Sequence, residues 1–261
     1  MREHHRRVID KLVAEFENDP NYLALIVGGS VAKGRAKEDS DVDVLLVATD
    51  EEYARKAANS AYWYFNREIC DYPGGYAEGK IVNLKFLEDA ADHGSERARA
   101  AFSHFIIGFS RLPGLEDLLN RIPVYPENER EEKMARFYSQ VQLLGWFVGE
   151  AEKRQDPYLL AHSSSDLVFY GGRLILAYNR ILYPYHKWFM YELERAELKP
   201  DNFMELAGRL LKEPGSETAT AFRDSLFSYR DWGVRYDQAI VHFMEDTEWT
   251  WRHGRPPLAD W

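Results

Sequence analysis

A chain of 261 residues with 45% hydrophobic content is long and apolar enough for one large or two ordinary packed domains, which excludes intrinsic disorder. A single cysteine, Cys70, excludes a disulfide framework and a thiolate metal cluster, and no window approaches the roughly 18 apolar residues of a membrane span. The formal charge of −10, from 33 basic and 43 acidic residues, disfavours a nucleic-acid partner and suits a cationic one.

The opening MREHHRRVIDKLVAEF is charged from its second residue and lacks the apolar segment of a signal peptide, so the expectation is a cytoplasmic protein. His4 and His5 are expected to fray with the terminus. Val8, Ile9, Leu12, Val13 and Phe16 recur at helical spacing and predict an amphipathic first helix. LALIVGG (23–29) reads as a buried strand, and DVDVLLVA (41–48) as a second. EEYARKAANSAYWYF (51–65) suits a helix, DYPGGYAEG (71–79) a connection, KIVNLKFL (80–87) a strand, and a helix follows from about Glu88 to Phe105. The chain divides near Pro113 to Pro126. Beyond it strand signals nearly vanish, and long helical patterns run through 131–154, 165–196 and 236–254. The expected fold class is α+β: an α/β domain with a small mixed sheet over 1–112, a linker over 113–126, and a helical domain over 127–261.

The stretch IVGGSVAKGRAKEDSDVDVLLVA (26–48) carries the chemistry. Glycines after a strand let the backbone approach a ligand, and the N–H groups of a following turn can cradle phosphates. Asp41 and Asp43 are two apart, so on a strand they share a face while Val42 and Val44 point into the core. Two such carboxylates suit Mg²⁺, which commonly bridges protein oxygens to nucleotide phosphates. Phosphate cradle and metal-holding pair together are the equipment for nucleotidyl transfer; either half alone would read as a glycine turn or a solvated strand end. Lys33 and Arg35 fit equally as nucleotide contacts and as solvated loop charges.

Gly28-Gly29-Ser30, a ten-residue spacer and Asp41-Val42-Asp43 resemble the signature of the DNA polymerase β-like nucleotidyltransferase superfamily. The helical half is similar to that of the kanamycin nucleotidyltransferase-like proteins at three places: VNLKF (82–86), FVGEAEKR (147–154) and EWTWRHG (248–254). The resemblance implies Asp41 and Asp43 as Mg²⁺ ligands, with Gly28, Gly29 and Ser30 on the β- and γ-phosphates. It implies Glu150 as the base that takes the acceptor's proton, with Glu152 as rival, and Lys153 or Arg154 as a phosphate contact. It also implies a homodimer and AMP transfer from ATP to a hydroxyl of a small acceptor, first of all an aminoglycoside, as in antibiotic resistance. The family's third acidic strand position falls on Asn83, whose amide oxygen can approach a metal but cannot accept a proton. Three explanations stay open: a one-metal enzyme relying on Glu150, a different register with Glu68 or Asp71 substituting, or a degenerate nucleotide-binding protein. A protein-modifying transferase is a further alternative.

Overall fold

The computed structural model describes residues 1–254, and the chain forms two compact units, Met1–Val124 and Tyr125–Trp261. The first unit runs α1 (Glu3–Phe16), β1 (Tyr22–Val27), α2 (Gly29–Ala32), β2 (Val42–Ala48), α3 (Asp50–Ala58), β3 (Trp63–Asn66), β4 (Ala77–Val82), α4 (Leu84–His93), α5 (Glu96–Ala100), β5 (Ile106–Ser110) and α6 (Leu115–Arg121). Its five strands form one mixed sheet in the order β3-β4-β2-β1-β5. β1 is antiparallel to β2 and β5, β3 is antiparallel to β4, and β2 runs parallel to β4.

Alternation along β2 explains how the sheet is covered. Val42, Val44 and Leu46 pack with Val8 and Leu12 of α1 in one apolar cluster. The other face is closed only in part, where Ile26, Val47 and Val82 meet Leu87 of α4 and Leu115 and Leu119 of α6. Asp43 and Leu45, on that second face nearer the start of β2, are only half-buried. The sheet is therefore sealed by α1 on one side and left open at one end of the other.

Several boundaries differ from the sequence reading. The helix predicted through residue 65 ends at Ala58, Ser60 adopts a positive φ of 52°, and Trp63–Asn66 form an edge strand. The strand predicted over 80–87 is Ala77–Val82, after which Asn83 caps α4 by accepting from Phe86 N at 3.1 Å. The single helix predicted over 88–105 is two short helices, α4 and α5, with Ser95 capping the second. Edge strand β5 follows them. The segment expected as a linker holds α6, whose Leu115 and Leu119 are buried together with Ile122. His5, expected to fray, is fully buried in α1 against Tyr72.

The second unit is helical: a 3₁₀ turn (Glu127–Glu129), α7 (Arg130–Arg154), α8 (Pro157–Tyr178), α9 (His186–Arg195), α10 (Phe203–Lys212), α11 (Ser216–Tyr229), α12 (Tyr236–Thr247) and a closing 3₁₀ turn (Thr250–His253). Val141, Leu144 and Val148, at helical spacing on α7, share a core with Leu167, Leu174 and Ile175 of α8 and with Phe203 and Phe222. Asp156 caps α8 by accepting from Leu159 N, and Pro157 occupies its first turn. Among the described residues no helix is long and apolar enough to cross a membrane.

Candidate active site

β1 delivers the glycine loop to the start of β2. Gly28 N donates to Asp43 O at 2.9 Å, which ties the loop to the strand carrying the carboxylates. Gly29 has φ +60°, and a Cβ there would lie 1.7 Å from Asp43 Oδ2. Both its conformation and its neighbour therefore require glycine. α2 is a single turn, closed by Arg35 N donating to Ser30 O at 2.9 Å. Ser30 Oγ is buried and has no hydrogen-bond partner among the described residues. A buried hydroxyl in that state is costly unless something else satisfies it.

Asp41 and Asp43 are joined by a third carboxylate, and it is Glu78. The parallel pairing of β2 with β4 sets Asp43 opposite Glu78 and Val44 opposite Gly79. At Gly79 a Cβ would sit 1.9 Å from Val44 O, so the strand interior needs glycine here for β4 to approach β2. Oxygens of Asp41, Asp43 and Glu78 lie within 4.8 Å of one another. Three like charges so close repel unless a cation intervenes, and an all-oxygen carboxylate set suits a hard divalent ion such as Mg²⁺. Tyr76, just before β4, feels the same field: the charge of Asp41 first, then burial and the charge of Glu78, push its phenol pKa up.

The third-strand position is thus corrected. Asn83 lies five residues beyond Glu78, past the end of β4, where its amide caps α4 and donates to Asp50 at 2.8 Å. Asp71 is held instead by Arg7 at 3.0 Å, and Glu68 is exposed in the turn before β4. Sequence reasoning missed Glu78 because YPGGYAEG reads as a loop. The available signal was the alternation of Glu78, Lys80 and Val82 against Ala77, Gly79 and Ile81.

A cavity of about 640 Å³ opens from the loop and carboxylates across the uncovered sheet face. Gly28, Gly29, Lys33, Asp43 and Glu78 are among its lining residues. Ile26 and Leu45 contribute apolar lining, Phe86 and Phe105 line it as well, and Lys80, Arg97 and Trp63 are also part of it.

The remaining expected residues stand on the last turns of α7. Glu150 accepts from Lys153 at 2.8 Å and lies 3.8 Å from Arg154; the Lys153 bond first, then the two cationic charges, holds its carboxyl below the usual range. A carboxylate so held is a weaker proton acceptor. Glu152 accepts from Ser216 N and Oγ, tying α7 to the start of α11.

Residues 9–85 match the family model described as a nucleotidyltransferase domain. A solved nucleotidyltransferase-like protein from Exiguobacterium sibiricum 255-15 has a similar fold, with a TM-score of 0.51 over 97% of this chain and 81% of that one, at 14% identity. No curated protein sequence matches the chain. The matched span 9–85 contains the glycine loop, all three carboxylates and β4.

Proposed function

We propose that this nucleotidyltransferase domain moves a nucleoside monophosphate, AMP foremost, from a nucleoside triphosphate to a hydroxyl of a small acceptor, releasing pyrophosphate. The observation that carries it is the convergence of Asp41, Asp43 and Glu78 within 4.8 Å, beside a loop whose buried Ser30 Oγ is unpartnered. In this reading the three carboxylates hold Mg²⁺. When bound, that ion neutralises the triphosphate and favours in-line attack at the α-phosphorus. Ser30 Oγ donates to a phosphate oxygen, and Lys33, which lines the same cavity, balances charge on the departing pyrophosphate. The acceptor oxygen bonds to the α-phosphorus as the α–β bridging P–O bond breaks, and the hydroxyl proton passes to solvent water. Glu150, already engaged by Lys153 and Arg154, is assigned no step.

The acceptor is proposed as a polyhydroxylated amine of aminoglycoside type, which the net charge of −10 favours, and the working unit as a homodimer. With Glu78 proposed as the third carboxylate, Asn83 is not counted as a mark of lost chemistry. The test is pyrophosphate release with Mg²⁺ and each of four nucleoside triphosphates, with and without a panel of aminoglycosides and other polyhydroxylated amines. Release that requires both an acceptor and Asp43 is the expected result. Silence across the panel, or release unchanged in Asp43→Ala, would contradict it.

A further inference from the structure

The sheet face that carries the carboxylates continues outward as a row of aromatic rings. β3 pairs with β4 so that Phe65 stands opposite Glu78 and Trp63 opposite Lys80. The row across the sheet is therefore Asp43, Glu78, Phe65, and the next row is Leu45, Lys80, Trp63. Phe65 lies between two rings: its centroid is 5.4 Å from Tyr76 at 35° and 5.1 Å from Trp63 at 31°. These contacts make a row of mutually tilted rings, which begins beside the carboxylates and ends at Trp63. An edge strand does not need this. Trp63 is 64% exposed and Phe65 42%, and charged residues are the usual way to blunt such an edge.

Trp63 also lines the cavity that holds Gly29, Asp43 and Glu78. Neighbouring strands lie about 4.8 Å apart and alternate residues about 6.7 Å apart along a strand, so Trp63 stands roughly 8 Å from Glu78 backbone to backbone. That is a span for a ribose followed by a planar ring. Since the triphosphate end of the site is fixed by Ser30 and Lys33, on the β1 side of Asp43, the β3 side receives the rest of the nucleotide.

We infer that Trp63 is the stacking platform for the nucleobase of the bound triphosphate, with Phe65 and Tyr76 backing it, and that it selects purines. This rests on the nucleotidyl-transfer reading of the site. The larger purine face gains more from stacking, and a ring platform recognises a π-face without reading hydrogen-bond edges. Purine triphosphates, ATP among them, are therefore expected to bind tighter than CTP and UTP.

The test is calorimetric titration of the full-length protein, wild type, Trp63→Ala and Trp63→Phe, with Mg²⁺ and each of ATP, UTP or inorganic tripolyphosphate. Trp63 is exposed, so both variants are expected to melt as the wild type does. Stacking on Trp63 predicts that Trp63→Ala weakens ATP about tenfold, leaves tripolyphosphate unchanged, and removes the preference for ATP over UTP, while Trp63→Phe retains most of it. ATP binding untouched by Trp63→Ala would overturn the inference, and so would equal weakening of ATP and tripolyphosphate. If tripolyphosphate and ATP both fail to bind the wild type with Mg²⁺, the nucleotidyl-transfer reading falls, and this inference with it. Binding of both with no effect of Trp63→Ala sinks the platform alone.

Discussion

The two units handle clustered acids in opposite ways. In the sheet unit Asp41, Asp43 and Glu78 converge on one another within 4.8 Å. In the helical unit Glu132, Glu245 and Asp246 converge on one guanidinium, Arg136, at 3.1, 3.1 and 2.8 Å. The second group has its cation built into the fold, so its energy is spent on joining α7 to α12. The first is held together by backbone: the Gly28 N–H to Asp43 O bond, the close approach at Gly79 and the pairing of β2 with β4. Like charges assembled by main-chain constraints make a candidate site. Opposite charges assembled by side chains are a clasp.

The sharpest way to break that contrast is to remove one charge from each group. Asp43→Asn is expected to lower nucleotidyl transfer by on the order of 10³-fold while melting temperature holds or rises, because the variant relieves repulsion. Steady-state pyrophosphate release beside a thermal melt checks both parts. Glu78→Gln should cost roughly 10²-fold in the same assay, whereas Glu150→Gln should cost less than about tenfold. Gly29→Ala forces a left-handed backbone and a collision with Asp43, so a loss of about 2 kcal/mol of stability is expected together with loss of transfer. Arg136→Ala reverses the pattern. It strips the half-buried Asp246 of its partner and is expected to cost about 2 kcal/mol in denaturant unfolding, with Mg²⁺–nucleotide binding unchanged.

The smallest effect is one of pH. Arg55 bonds both oxygens of Glu52 at 2.7 Å and holds that carboxyl below its usual range. A depressed folded value means that the contribution is present above the unfolded pKa and is lost as pH falls through the folded one. Melting temperatures between about pH 5 and pH 3 should therefore decline less steeply in Glu52→Gln than in the wild type.

What the sequence disclosed follows from the range of the interactions involved. Asp41 and Asp43 were legible because two acids interrupt an apolar strand, and Gly29 because a glycine pair ends one. The helices of the second unit were legible from local periodicity, as at Val141, Leu144 and Val148. Glu78 was not legible, since its place depends on pairing with Asp43 across 35 positions of chain, and Gly79 beside it looks like a turn residue until Val44 is set opposite. Edge strands β3 and β5 span only four and five residues, and their apolar runs adjoin helical patterns, so WYFN reads as the end of a helix over 51–65 and IIGFS as the tail of one over 88–105. Asn83 misled for a related reason: a polar residue closing an apolar run looks the same whether it faces a metal or caps the next helix.

Glu78, and not Asn83, is proposed to complete a cation site with Asp41 and Asp43. Electron paramagnetic resonance of Mn²⁺ titrated with ATP into the wild type, Glu78→Gln and Asn83→Ala tests it most directly. Wild type and Asn83→Ala are expected to take up the ion alike, with Asn83→Ala losing about 1 kcal/mol of stability through its cap, while Glu78→Gln binds at least about tenfold more weakly. Uptake undiminished in Glu78→Gln but lost in Asn83→Ala would contradict the account.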